Sequence, residues 1–272
     1  RARKDVKVAL VGQGPDELFG GYTRHLGVKY GNIWRKLPKN IRNIIYKLGG
    51  KITRNEAINR AVYSLDIEDQ MIRYQNIFSI LSKEGINNLF KPDLIENNTG
   101  DEILKCWKDL ETLMKYTDEL GGFKFLEMRS SLPDELLMYS DKISMAHSLE
   151  VRVPYIDRDI VEFVERLPDK YMIRYGNRKW IHKKVCNSFL PKTIINRKKR
   201  GFAVNVVDSW FNESISDKFN MYLTDKKSKM YEYLKYNEVN MLYNLHKTKK
   251  QDNHKILFSL IVFEEWLRAN DM

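Results

Sequence analysis

The stretch Val6-Lys7-Val8-Ala9-Leu10-Val11-Gly12-Gln13-Gly14-Pro15-Asp16-Glu17-Leu18-Phe19-Gly20-Gly21-Tyr22 decides how this chain is read. Its first half is apolar and β-branched, the pattern of a strand buried on both faces of a parallel sheet with helices above and below. It then breaks into a glycine loop, two adjacent carboxylates and a helix-like segment marked by Gly20-Gly21. Gly12 and Gly14 let the backbone approach a ligand closely, and loops at the carboxyl ends of parallel strands are where α/β folds bind nucleotides. Asp16 sits where it can hold a magnesium ion against phosphate oxygens, because hard cations take carboxylate and water ligands. The loop reads as part of a phosphate site.

A central strand needs neighbours, since its backbone donors and acceptors must be paired. Only five residues precede Val6, and no comparably clear apolar run follows it. The expectation is therefore that the sheet is completed by residues outside this sequence, which would be the carboxyl-terminal part of a larger protein. The absence of an initiator Met points the same way.

A chain of 272 residues with 43% hydrophobic content and five Trp is long and apolar enough for one or two cored domains. Cys106 and Cys186 make neither a disulfide framework nor a zinc motif, which implies a reducing, cytoplasmic setting. No run reaches the length of a membrane span, and Arg1-Ala2-Arg3-Lys4 is not followed by an apolar signal region, so no membrane partner is expected. The net charge of +11 raises the question of nucleic acid. Its Lys and Arg are spread along the chain, with clusters at Asn196-Arg197-Lys198-Lys199-Arg200 and His246-Lys247-Thr248-Lys249-Lys250, and no recognised nucleic-acid motif accompanies them. Solvated basic helix faces come first as an explanation, a basic cleft for phosphate-bearing or acidic substrates second; no specific nucleic-acid partner is expected.

Helical patterning dominates after Tyr22. Pro38 opens a helix over Lys39–Leu48 stopped by Gly49-Gly50, and Asn55–Leu65, Ile67–Phe78, Ser82–Leu89 and Ile103–Met114 read similarly, with a turn at Asn97-Asn98-Thr99-Gly100. Pro133, Asp134 and Glu135 suit the first turn of a helix. The segment from Ser144 to Asp157 passes from helix to extended chain, and Ile160–Leu167 is a short amphipathic helix ended by Pro168. A further helix opens at Asn177 after Gly176, Arg197–Phe202 is a loop, and Lys255–Leu267 is an apolar helix. The motifs divide the chain into 1–24 (last sheet strand and phosphate loop), 25–125 (a helical insertion) and 126–272 (a helical remainder carrying further chemistry-bearing segments).

Five of these segments, in order, resemble the synthetase domain of the glutamine-hydrolysing asparagine synthetase B family. They are Gly12-Gln13-Gly14-Pro15-Asp16-Glu17-Leu18-Phe19-Gly20-Gly21-Tyr22, Asp141-Lys142-Ile143-Ser144-Met145-Ala146, Glu150-Val151-Arg152-Val153-Pro154-Tyr155-Ile156-Asp157, Lys179 after a glycine, and Arg197-Lys198-Lys199-Arg200-Gly201-Phe202. The match covers most of residues 5–27 and 126–211. One such motif is weak and five in order are strong. The resemblance implies a mostly α chain that is the carboxyl-terminal portion of an α/β PP-loop ATP pyrophosphatase domain. It also implies a ligase that uses ATP and Mg2+ to adenylate a small-molecule carboxylate and then amidates it with ammonia. In the family that ammonia comes from a glutaminase domain, which this chain lacks.

Residue by residue, the resemblance implies that Gly12, Gly14 and Asp16 form the pyrophosphate–magnesium loop, with Asp16 the metal ligand. Lys179 would stabilise charge on the phosphoryl group and the tetrahedral intermediate; without the family it reads as a first-turn helix lysine. Glu17 supports the loop or complements a helix dipole. Asp134 and Glu135 are either substrate-site acids or helix-start acids. Arg197 reaches phosphate or belongs to a solvated basic turn, while Glu150, Arg152 and Asp157 brace the fold through paired charges. Three departures stand out. The Ser-Gly-Gly-x-Asp-Ser ATP loop and an amino-terminal Cys nucleophile are absent, and Cys106 and Cys186 read as small buried apolar residues. Gln13 stands where asparagine-forming members carry Glu; it keeps the hydrogen-bonding shape without the charge or the basicity, so the substrate is aspartate or a related acid. The helical stretch between Tyr22 and Leu126 is longer than in compact members. The alternative is a non-catalytic helical binding module that retains the scaffold.

Overall fold

Polar side-chain caps set four of the helix starts among the described residues. Asp69 accepts from the Ile72 amide at 2.8 Å, Ser82 from Gly85 at 3.1 Å, Asp118 from Gly121 at 2.7 Å and Asp157 from Asp159 at 3.0 Å. Each such cap is worth about 1 kcal/mol and moves the helix start to the residue after it. The helices expected from Ile67 and Ser82 accordingly begin at Gln70 and Lys83, and the one expected from Ile160 begins earlier, at Arg158. The computed structural model describes residues 1–49, 64–96, 101–197 and 216–270. Most of the helix expected over Asn55–Leu65, the turn Asn97–Gly100 and the loop beyond Arg197 lie outside those residues. The described chain is mostly helical, and none of its helices is long and apolar enough to cross a membrane.

Backbone contacts divide the chain into two units, Arg1–Lys36 with Lys105–Lys198, and Leu37–Leu104 with Lys199–Met272. The first contains β1 (Val8–Leu10), α1 (Pro15–Leu18), α2 (Thr23–Arg35), α3 (Glu119–Arg129), a π-helical turn at Leu132–Leu137, α4 (Met138–Met145), β2 (Glu150–Arg152), α5 (Arg158–Glu165) and α6 (Trp180–Cys186). Strands β1 and β2 run parallel, with Val8, Ala9 and Leu10 opposite Glu150, Val151 and Arg152. Two expectations are corrected here. The opening strand has a partner inside the chain, which charged residues at alternate positions of β2 concealed. It is also not buried on both faces: Val8 is 39% and Leu10 71% exposed, because a two-stranded ribbon among the described residues leaves its flanks uncovered.

Helix α3 is the spine of this unit, touching α1 and α2. It is buried on several faces at once, through Leu120, Phe123, Leu126 and also Lys124 and Glu127. Leu18, Val28, Leu132, Val164, Met172 and Ile173 complete the core. An apolar helix with two buried charges needs partners for both, and that demand shapes the site below. The second unit has its own core, with Leu223, Met230, Leu234, Val239, Leu257 and Leu260 among its members, drawn largely from the helices Ser216–Thr224, Tyr236–Lys247 and His254–Ala269. There the buried Glu264 accepts from the amides of Lys229 (3.1 Å) and Met230 (2.7 Å) and pairs with Arg268 at 2.6 Å.

Candidate active site

Strand β1 delivers the chain into Gly12-Gln13-Gly14. Gly14 adopts φ +99°, and a side chain there would also strike Ile156 Cγ1 at 2.6 Å, so glycine is required twice over. Gly12 is different: a Cβ at that position meets nothing within 4 Å. The space beside Gly12 is open to a ligand. Gln13 is half-buried, and its Oε1 is shielded from solvent with no hydrogen-bond partner among the described residues.

In the first turn of α1, the Asp16 carboxylate meets the Lys179 ammonium, Oδ1 to Nζ 2.9 Å, with each side chain about one-fifth exposed (23% and 21%). Residues 163 positions apart are thereby joined. Gly21 makes the approach possible. A Cβ on it would lie 1.9 Å from Asp16 Oδ1 and 2.3 Å from Lys179 Cε, inside both atoms.

The loop is held from behind. Glu17 is fully buried and accepts a short hydrogen bond from the Tyr22 hydroxyl, whose own proton affinity is driven up first by burial and then by that carboxylate. Gly21 is followed by the start of α2, where the Tyr22 amide donates to His25 Nδ1 at 3.3 Å. His25 Nε2 then lies 2.6 Å from Glu127 Oε2, while Arg24 Nε is 2.5 Å from Glu127 Oε1. Since Nδ1 accepts, the ring proton sits on Nε2 and donates to the carboxylate. Glu127, the buried acid of α3, is thus satisfied by two residues of α2.

Lys179 is presented by backbone of unusual shape. Arg174 and Asn177 exchange both amide–carbonyl hydrogen bonds (3.0 and 2.8 Å) around Tyr175 and Gly176, which have φ of +49° and +75°. Positive φ at both central positions defines a tight type I′ turn. Lys179 itself is left-handed (φ +54°) and caps α6, which begins only at Trp180. The helix expected from Asn177 is corrected accordingly, because Asn177 is committed to the turn. Arg178 latches this segment to the first loop by donating to the Gly21 carbonyl (3.0 Å) and the Thr23 hydroxyl (2.9 Å). Lys29 of α2 donates to the carbonyls of Asp169 (2.9 Å) and Ile173 (2.6 Å), fixing the chain that leads into the turn.

Beside the ion pair, His182 bonds the Tyr155 hydroxyl at 3.0 Å and contacts the Phe19 ring. Burial, and then the Lys179 charge, hold its imidazole below the usual histidine range, so it is neutral at physiological pH. Cys186 is half-buried with Sγ 3.8 Å from His182 Nε2, rather than a fully buried apolar residue; the Cys106 side chain lies outside the described ones.

Of the residues singled out in sequence, Asp16 and Lys179 touch, and Gly12, Gln13, Gly14 and Glu17 belong to the same loop. Asp134 and Glu135 are exposed in the π-helical turn, and Arg197 is exposed. No hydrogen bond or ion pair among the described residues joins these three to the Asp16–Lys179 pair. Glu150 and Arg152 pair with each other at 2.8 Å on β2. Sequence reasoning missed Gly21, Arg178, the His25–Glu127 pair and His182. The Gly20-Gly21 doublet was the only signal of the first, and an acid inside the apolar run of α3 the only signal of Glu127.

A parallel strand thus runs into a glycine loop, and just beyond it an acid and a lysine meet over a glycine gap. The sequence profile of the asparagine synthase family matches residues 1–268, and the chain belongs to that family. It is 24% identical to asparagine synthetase [glutamine-hydrolyzing] 1 of Bacillus subtilis, over 99% of this chain and 41% of that protein. It is 25% identical to a putative asparagine synthetase [glutamine-hydrolyzing] of Mycobacterium tuberculosis, over 97% of this chain and 40% of that one. It is also similar to amidase chry2 of Gibberella zeae, at 23% identity over 72% of this chain and 32% of the amidase. The chain therefore spans about two-fifths of the length of the first two relatives. No solved structure gave a significant match.

Proposed function

We propose that this chain supplies the pyrophosphate-binding part of an ATP-dependent amide-forming ligase of the asparagine synthetase type. In that reading the chain is the carboxyl-terminal portion of a PP-loop α/β domain whose ATP loop and glutaminase half lie outside it. A carboxylate oxygen attacks the α-phosphorus of ATP and pyrophosphate departs. Ammonia then attacks the acyl carbon, AMP leaves, and a proton is released. The observation that carries the reading is the Lys179–Asp16 contact across Gly21.

Lys179 has the position of a cation that exchanges Asp16 for the oxygens of the leaving diphosphate. Its flexible stem and point charge suit that exchange, and the ion pair it gives up is worth at most about 1 kcal/mol at this exposure. The left-handed backbone at Lys179 and the Arg178 latch fix where the ammonium sits before substrate arrives. Gly12 leaves room for phosphate at the mouth of the strand. A half-buried carboxylate fits a magnesium ion, which takes one or two protein carboxylates and fills its other positions with water and phosphate; Asp16 would hold it. When bound, the ion supplies neutralising charge for the diphosphate. Gln13 presents an amide with an unpaired buried oxygen toward its surroundings and has no basicity, so deprotonating the incoming nitrogen falls to another group. That favours a carboxylate substrate other than, or besides, aspartate. Asp134, Glu135 and Arg197 stay candidates for its recognition and for phosphate.

The test uses the full-length protein with ATP, ammonia and a panel of carboxylic acids. One acid should yield an amide with stoichiometric AMP and pyrophosphate. Formation of ADP and phosphate, or no acid-dependent AMP with any member, overturns the proposal and leaves the binding-module alternative.

A further inference from the structure

A cavity of about 570 Å3 lies against the chain that leads into the Lys179 turn, and it shares no lining residue with the Asp16–Lys179 pair. Its walls include Lys29, Tyr30, Lys170, Tyr171, Arg174 and Tyr175. That volume falls within the range of small-molecule sites, about 300–1,000 Å3. Three cations and three phenol rings line one concavity, and the arrangement is ordered. The Arg174 guanidinium lies over two rings, 5.3 Å from the centroid of Tyr175 and 4.9 Å from that of Trp180, and the Lys170 ammonium lies 5.4 Å from that of Tyr171. Lys29 is tied down by its two carbonyl acceptors.

None of Lys29, Lys170 and Arg174 has a carboxylate within ion-pair distance among the described residues. Cations on a merely solvated face extend into water or pair with neighbouring acids. Here Arg174 and Lys170 are spread against aromatic faces, which leaves the edge of the Arg174 fork and the Lys170 ammonium protons to donate, and Lys29 keeps one proton beyond its two carbonyl acceptors. Tyr175, 85% exposed, offers a bare ring face at the rim. Tyr30 also lines the cavity, its hydroxyl accepting from the Gly176 amide at 3.3 Å.

The geometry points to a second ligand site for a flat ring that carries a phosphate, such as a nucleoside monophosphate: the phosphate meets Arg174, Lys170 and Lys29, and the ring stacks on tyrosine. Charge-assisted hydrogen bonds from a guanidinium favour phosphate, and stacking adds affinity with little preference among rings. The rim of the cleft is the turn that presents Lys179.

The test is equilibrium dialysis of AMP, UMP, uridine and inorganic phosphate against the full-length protein carrying Lys179→Ala, which removes the site proposed above from the measurement. At least one nucleotide should bind saturably, with uridine and phosphate each about ten-fold weaker or more. Arg174→Ala and Tyr175→Ala, both changes at exposed side chains, should each weaken nucleotide binding about ten-fold, and Arg174→Lys should restore part of the loss. Absence of saturable binding by either nucleotide, or binding indifferent to Arg174→Ala, overturns the inference. Failure of the ligase reaction leaves it standing, and its own failure leaves the ligase reading standing.

Discussion

Gly12 and Gly21 stand on either side of α1, and they do opposite jobs. At Gly12 a Cβ would stand in open space; at Gly21 it would overlap the Asp16 carboxylate and the Lys179 stem. Gly12→Ala should therefore leave the unfolding free energy within about 0.5 kcal/mol of the parent, while raising the KM for ATP because the methyl takes phosphate space. Gly21→Ala should cost about 1–3 kcal/mol of stability, as overpacking does, and lower kcat by forcing the ion pair apart. Denaturant melts and steady-state kinetics on the full-length protein separate the two. Equal stability losses at both positions would contradict this assignment. In sequence, Gly12 read as a close-approach glycine of the loop, whereas Gly21 only marked, with Gly20, the helix-like segment that follows. Gly14 was read, like Gly12, as permitting close approach of the backbone; its φ of +99° and its contact with Ile156 appear only in the fold. Gly21 acquires its role only when Lys179 arrives from 158 residues away.

Among the elements, the opening strand, its loop and the helices with strong caps were readable, because apolar runs, Pro, Gly and Ser/Asp signals act locally. The exceptions share a cause. Strand β2 carries charge at Glu150 and Arg152 because both are exposed, so its pattern hides the pairing. The late start of α6 depends on left-handed Tyr175 and Lys179, which no local preference announces. Glu127 is tolerated inside α3 only because α2 brings His25 and Arg24 to it.

The segment leading into the Lys179 turn also carries a titration. Burial pushes the Asp169 carboxyl up to about 7, and the neighbouring Asp118 adds to this by its charge and a hydrogen bond. A carboxyl whose folded pKa is raised stabilises the fold fully below its unfolded value of 3.8, and that contribution is lost as pH rises through about 7. Discounted for its partial exposure, the loss is on the order of 1 kcal/mol. Urea melts of the full-length protein between those pH values should show this decline, and Asp169→Asn should flatten it. An unchanged slope in the variant would assign the decline to other groups.

At the scale of the molecule, the first unit holds every residue of the Asp16–Lys179 site and the second has an independent core. Within the first unit, Lys29, Lys170 and Arg174, three of the chain's 47 basic residues, line one cavity. Family membership was legible from five short motifs, because they recur in one order along the chain.

The account rests on Asp16 and Lys179 acting together on a departing diphosphate. Exchange of labelled pyrophosphate into ATP, dependent on the carboxylic acid substrate, measures that step directly in the full-length protein. Lys179→Ala and Asp16→Asn should each slow the exchange by about 100–1,000-fold, with the fold intact by denaturant melt. Exchange at the parent rate in either variant would contradict the account.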